Sequence, residues 1–257
     1  MVGSPTQIAT INSLLTALLS GQQQVLGDTF VGLYLGGSLA AGDFAPLRSD
    51  IDFLAVTTDA VPDATLPALE AMHARITETG GEWAKRMEGP YIPLDALRRY
   101  DPANATHPTL GTGGHFHMCR YVSDWIIQRH VFREHGIALA GPPLRTLIDP
   151  VMPDDLRRAS VGILAEWWLP QLDDPFRLFD REYQAYATLT MCRVLYTIEQ
   201  GTVAAKSTAA RWAKKALGDG RAGLIDRALA WPSGPQPDEL AETLEFVRFA
   251  IERSRRA

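Results

Sequence analysis

Apolar residues recur at three- and four-residue intervals near the start of the chain, at Ile8, Ile11, Leu14, Leu15, Leu18 and Leu19. That is the spacing of one face of an amphipathic helix. A compact apolar run follows, Phe30-Val31-Gly32-Leu33-Tyr34-Leu35, stopped by Gly36-Gly37-Ser38 and a polar, turn-rich stretch that reaches Ser49. Residues 51–56 form a second run of the same kind, and both read as buried strands. Residues 66–80 return to a helical period and lead into a weaker strand around residues 85–91. Strands alternating with helices predict a small sheet unit of α/β or α+β type.

After about Leu94 the texture changes. Residues 100–114 read as a loop rich in Gly, Pro, Asn and Thr. Beyond it the pattern is helical over residues 121–134, 154–169, 182–200, 207–217, 223–231 and 238–253. The breaks fall at Gly141-Pro142-Pro143, Asp173-Asp174-Pro175 and Pro232-Ser233-Gly234-Pro235, where Pro and Gly end helices. The expected fold class is α+β, with a mixed sheet and its helices over residues 1–153 and an α-helical bundle over 154–257. No internal repeat or low-complexity tract is visible.

Composition narrows the class. With 257 residues, 46% hydrophobic and 21% charged, the chain can bury a core without disulfides or a structural metal. Cys119 and Cys192 stand far apart in apolar-looking segments and read as reduced core residues of a cytosolic protein. The net charge of −5 argues against a nucleic-acid binder, which needs a basic face, and suits a cationic small-molecule partner. No apolar run reaches the roughly 18 residues of a membrane span, and the early apolar stretch lacks the basic start of a leader. A cytoplasmic monomer without membrane or nucleic-acid partners is the expectation.

The chemistry is concentrated in Leu35-Gly36-Gly37-Ser38, an eleven-residue gap, and Asp50-Ile51-Asp52. Side chains at i and i+2 of a strand share a face, so Asp50 and Asp52 are expected to stand side by side. Paired carboxylates repel unless a cation joins them, and Mg²⁺ takes oxygen ligands. Gly-Gly lets backbone N–H groups approach phosphate oxygens, with the Ser38 hydroxyl alongside and Ser49 at the close of the intervening turn. Either half alone is usually a plain turn or a solvated strand end. In order, on successive strands, the two halves resemble the signature of the polymerase-β-like nucleotidyltransferase superfamily, in which a third carboxylate on a neighbouring strand is usual. Glu88, in Lys85-Arg86-Met87-Glu88-Gly89, is assigned to that place as general base and metal ligand. Glu70, Glu78 and Glu82, on helical or loop segments, are weaker candidates.

The second half sharpens the resemblance. Arg133-Glu134-His135-Gly136, Asp149-Pro150-Val151, Thr188-Leu189-Thr190-Met191-Cys192-Arg193 and Gly201-Thr202-Val203-Ala204-Ala205-Lys206 are similar to the helical domain of the streptomycin/spectinomycin adenylyltransferases. The likeness runs in order along nearly the whole chain. It implies transfer of AMP from ATP, with Mg²⁺, to an antibiotic hydroxyl. By position it implies Arg193 and Lys206 as cations on the triphosphate and Asp124 as a nucleotide contact; Trp231 falls near a family aromatic and reads equally well as core packing. In one respect the chain departs. The family's acidic pair, nine and ten residues before the arginine, is here Gln184 and Tyr183, so Asp180 and Glu182 are assigned to the cationic acceptor in its place. His115 and His117 read as solvated loop residues. A nucleotidyltransferase acting on a protein or tRNA, or a non-catalytic nucleotide-binding relative, is the alternative; all three carboxylates being present disfavours the latter.

Overall fold

The structure, a computed structural model, describes residues 6–42, 44–46, 49–234 and 237–256. The chain falls into two compact units, one comprising residues 1–121 with 128–150, the other 122–127 with 151–257.

The first unit is built on a six-stranded mixed sheet. Helix α1 (Ala9–Leu26) leads into β1 (Phe30–Leu35), the short helix α2 (Gly37–Ala41) and β2 (Ile51–Thr57). Then come α3 (Leu66–Thr79), α4 (Gly81–Lys85), β3 (Met87–Pro93), α5 (Leu94–Arg98), β4 (Thr106–Gly111) and β5 (His115–Arg120). Helix α6 (Asp124–His135) is followed by β6 (Ile137–Ala140) and α7 (Leu144–Leu147). The strand order is β5-β4-β3-β2-β1-β6. Only β2 and β3 run parallel; the other neighbours are antiparallel. Leu33 and Leu35, Ile51, Phe53 and Ala55, and Met87 and Tyr91 pack on one face against Leu14, Leu15 and Leu18 of α1 and Leu69, Met72 and Ile76 of α3. Each fully buried Leu or Ile there contributes about 1.5–3 kcal/mol. Alternation sends the intervening residues, Asp52 and Glu88 among them, to the opposite face.

The stretch expected to be a loop over residues 100–114 holds strand β4, and the expected loop histidines lie on β5. Strand β4, next to the edge strand β5, contains Pro108 and Gly111, and β5 is rich in polar residues, so no clean alternation betrays them. The strand expected from Lys85 starts at Met87, because Gly81–Lys85 is a helical turn. Cys192 is buried in the helical core, where burial pushes its thiol up to about 12; Cys119, expected in a core, is only partly buried on β5.

The second unit is an α-helical bundle around α9 (Arg181–Gln200), against which α8 (Pro153–Ile163), α10 (Lys206–Ala216), α11 (Ala222–Ala230) and α12 (Leu240–Ser254) pack. The single helix expected over 154–169 is α8 followed by a π turn, Leu164–Trp168, in which the Leu169 amide reaches back to the Leu164 carbonyl at 2.8 Å. Buried Leu164, Trp168, Cys192, Ile225 and Phe246 belong to its core. Trp231 packs at the margin of that core, partly buried. No helix among the described residues is long and apolar enough to cross a membrane.

Candidate active site

The parallel pairing of β2 with β3 sets Asp52 opposite Glu88, next to the pair Ile51 and Met87. Opposed residues of adjacent strands share a face. Ile51 and Met87 therefore point into the core while the two half-buried carboxyl-bearing residues point away from it. Like charges directly opposed on neighbouring strands are unfavourable on their own, so this pairing is not explained by sheet stability.

The turn after β1 is fitted against the same carboxylate. The Gly36 amide donates to the Asp52 carbonyl at 2.9 Å, which ties the turn to β2. Gly37 has φ 54°, and a Cβ there would run into the Asp52 carboxylate. Both facts require glycine. Gly36 in turn lies under the Phe132 ring of α6, which a Cβ would meet at 2.5 Å. Ser38 follows, half-buried, in the first turn of α2. The sequence motif thus folds into one place in which Gly36, Gly37, Asp52 and Glu88 stand together.

Asp50 differs from the expectation. Strand β2 begins at Ile51, so strand alternation does not fix Asp50 beside Asp52; its carboxylate lies 3.7 Å from the Arg86 Nε. Arg86 is the site residue that sequence reading passed over. Its guanidinium donates to the Pro46 carbonyl at 2.7 Å and to the Ser49 carbonyl, and it stacks 5.0 Å from the Trp83 ring. It thereby holds the start of β2 against β3. The Ser49 hydroxyl accepts from the Ala45 amide at 2.9 Å, so Ser49 shapes this turn. Among the described residues no three His, Cys, Asp or Glu stand close enough to hold a metal ion between them. Glu70 and Glu78 lie exposed on α3, and the exposed Glu82 pairs with Lys85 at 2.7 Å.

In the helical unit, Arg193 lies half-buried on α9 and Lys206 opens α10, with its ammonium 5.5 Å from the Tyr186 ring centre. A cation in a first helical turn opposes the helix dipole, so helix stability does not account for Lys206. Asp124 begins α6 and accepts from the Val122 amide at 3.3 Å. Burial raises its carboxyl to about 6, with the Glu166 charge adding to the rise and backbone amides of Val122 and Trp125 opposing it.

The residues assigned to the acceptor both stand exposed at the start of α9. Asp180 is the N-cap of α9 and accepts from the Tyr183 amide at 2.9 Å, and Glu182 lies in the first turn. Gln184 is buried and fully used: its amide donates to the Leu178 carbonyl and the Asp238 carboxylate, and accepts from the Glu239 amide at 3.0 Å. Tyr183 accepts from the Trp167 indole at 3.0 Å, and its ring lies tilted beside that of Tyr186 with centres 5.4 Å apart. His115 and His117 stack on β5 with ring centres 4.9 Å apart.

Residues 146–255 match the family model of the aminoglycoside adenylyltransferase C-terminal domain. An aminoglycoside (3'') (9) adenylyltransferase of Escherichia coli is 26% identical over 255 residues, covering 94% of each chain. One from Klebsiella pneumoniae is 26% identical over 219 residues, covering 82% of this chain and 80% of the relative. The fold is similar to that of spectinomycin adenyltransferase from Enterococcus faecialis, solved with ATP and spectinomycin, with a TM-score of 0.76 at 17% identity over 95% of this chain and 98% of that one. A nucleotidyltransferase sheet with a C-terminal helical domain, together with these relatives, defines the chain as an enzyme of the nucleotidyltransferase class. Within that class it is similar to the aminoglycoside adenylyltransferases, whose C-terminal domain model matches residues 146–255.

Proposed function

We propose that the chain moves the adenylyl group of ATP onto a hydroxyl of an aminoglycoside-type acceptor of the streptomycin/spectinomycin kind, with Mg²⁺ accompanying the triphosphate. The observation that carries this reading is the Asp52–Glu88 pair in register on parallel strands, with Gly37 pressed against Asp52. Mg²⁺ in nucleotide sites usually takes one or two carboxylates plus phosphate oxygens and waters, not an all-protein cage. The opposed carboxylates of Asp52 and Glu88 suit that use, and Asp52, Asp50 and Glu88 are the residues assigned to the ion. Bound there, the ion supplies charge compensation for the triphosphate oxygens.

The chain's own groups do the rest. The Gly36-Gly37 turn and the Ser38 hydroxyl, shaped by Ser49 and Arg86, take the β- and γ-phosphates. Glu88 accepts the proton of the acceptor hydroxyl. That oxygen forms a bond to the α-phosphorus as the bond to the bridging oxygen breaks and pyrophosphate leaves. Arg193 and Lys206 are assigned to the triphosphate, where Arg offers paired donors and Lys a point charge at a helix start that also favours anions. Asp124 is assigned to the nucleotide as a hydrogen-bond acceptor. Glu182, with the exposed Asp180, is assigned to the cationic acceptor.

Pyrophosphate release with ATP, Mg²⁺ and a panel of aminoglycosides tests this reading. Acceptor-dependent release, abolished by Asp52→Asn and Asp50→Asn in folded protein, is the expected result. Absence of release with every acceptor, with ATP binding intact, would remove the antibiotic acceptor.

A further inference from the structure

One carboxylate outside the residues assigned above is held by an irregular piece of helix. Glu166 sits in the π turn after α8. A π turn puts an additional residue into a helix and re-aims the side chains around it, and such turns concentrate at functional places. Here the re-aimed carboxylate captures a single residue with both oxygens: the Ser123 amide donates to Glu166 Oε2 at 3.0 Å and the Ser123 hydroxyl to Oε1 at 2.9 Å. Ser123 is the residue immediately before α6. Gly162, four residues before Glu166, makes the approach possible, because a Cβ there would collide with the Ser123 hydroxyl. A helix start leaves its first amides without intrahelical partners, and Glu166 fixes the backbone at that point from another element of the same unit. The next residue is Asp124, whose carboxylate turns back onto the Val122 amide and feels the Glu166 charge.

We propose that Glu166 is a positioning residue: through Ser123 it sets the turn that opens α6, and with it the Asp124 carboxylate, so that nucleotide affinity depends on a side chain acting at one remove. This rests on the assignment of Asp124 to the nucleotide made above. Among the charged groups, Glu166 is the one that acts on Asp124, and the Val122 and Trp125 amides are its hydrogen-bonded neighbours. As an acceptor Asp124 works ionised, so ATP affinity falls as pH drops through about 6.

The test is ATP binding to the full chain by calorimetry, over a pH range bracketing about 6, for wild type, Glu166→Gln, Ser123→Ala and Asp124→Asn, with melting temperatures to establish folding. Glu166→Gln should weaken ATP binding about tenfold, the size of one lost charge-assisted hydrogen bond. It should also move the acid limb to lower pH, because the charge that helps keep Asp124 protonated is gone. Ser123→Ala, which keeps the backbone bond and the charge, should weaken binding less and leave the acid limb in place. Turnover at saturating ATP should change little in either variant, so the effect falls on KM and not on kcat. Wild-type affinity and an unmoved acid limb in folded Glu166→Gln, alongside weakened Asp124→Asn, would overturn the positioning role while leaving the nucleotide assignment standing. Wild-type affinity in Asp124→Asn would remove that assignment and the proposal with it.

Discussion

Asp52 and Glu88 lie 36 positions apart in sequence and reach one another because two parallel strands carry them at the same level. The Gly-Gly-Ser and Asp-Ile-Asp strings were legible because their meaning is local: a turn, then a strand. The partnership with Glu88 was reached only through a family likeness, since no local pattern fixes the register between β2 and β3. Arg86 was passed over for the same reason; its role exists only once the turn before β2 folds onto it. Substitutions at single residues separate these roles. Gly37→Ala drives a methyl into the Asp52 carboxylate, and turnover should fall at least about 100-fold, as a displacement of about 1 Å at a reacting group costs. Wild-type turnover in that variant would detach the turn from the chemistry. Glu88→Gln should lose about 10²–10⁴-fold in rate with ATP binding retained if Glu88 is the base; an unaffected rate assigns the proton to another group. Asp124 adds a pH dependence of stability. Its folded carboxyl titrates near 6 against an ordinary 3.8, so its favourable contribution is complete below about 3.8 and is lost as pH rises through about 6. Denaturant unfolding at neutral pH should therefore find Asp124→Asn more stable than wild type by about 1–2 kcal/mol after solvent screening, with the gap closing in acid.

Elements with a strong period were readable, α1 and α9 above all, because a buried stripe leaves its spacing in the sequence. Strands β4, β5 and β6 were not, lying at or near the sheet edges and carrying Pro and Gly in β4, His, Cys and Arg in β5 and Ala in β6 in place of alternating β-branched residues. The π turn was invisible too, since its apolar spacing continues that of α8. The departure at Gln184 gains a physical meaning from the fold. Its amide and the carboxylate of Glu239, which is buried and paired with Arg227 and with Arg181 at 3.2 Å, join the start of α9 to the start of α12. Removing one partner of a buried pair strands the other, so Glu239→Gln should lower unfolding free energy by about 3 kcal/mol with little effect on ATP affinity. A loss below about 0.5 kcal/mol would make the pair incidental. In the sheet unit, His73 of α3 stacks between Phe53 of β2 and Phe116 of β5, its Nε2 2.6 Å from the Tyr91 hydroxyl. Burial lowers it to about 4 from 6.5. The stability it contributes is full above about 6.5 and is lost as pH falls through about 4, by an amount on the order of a few kcal/mol. A folded His73→Phe variant should show a flatter acid limb in unfolding experiments; an unchanged limb would show that other groups govern it.

For the whole molecule, a mixed sheet followed by a helical bundle was legible, although strands β4, β5 and β6 of that sheet lie beyond the change of texture at residue 94; the relatives match along nearly the full length. What sequence could not supply was the acceptor. The acidic balance of −5 suits a cationic drug, whose charges need carboxylates in place of water. Yet Asp180 is already engaged as a helix cap, and Gln184 and Tyr183 are bonded within the bundle. The central claim, adenylyl transfer, is separable from that question and is tested by isotope. With ATP labelled at the α-phosphorus in one arm and at the γ-phosphorus in the other, incubated with Mg²⁺ and each aminoglycoside in turn, the account predicts α-label on the acceptor and γ-label in pyrophosphate. Label from the γ-phosphorus on the acceptor, or release of inorganic phosphate alone, would contradict it.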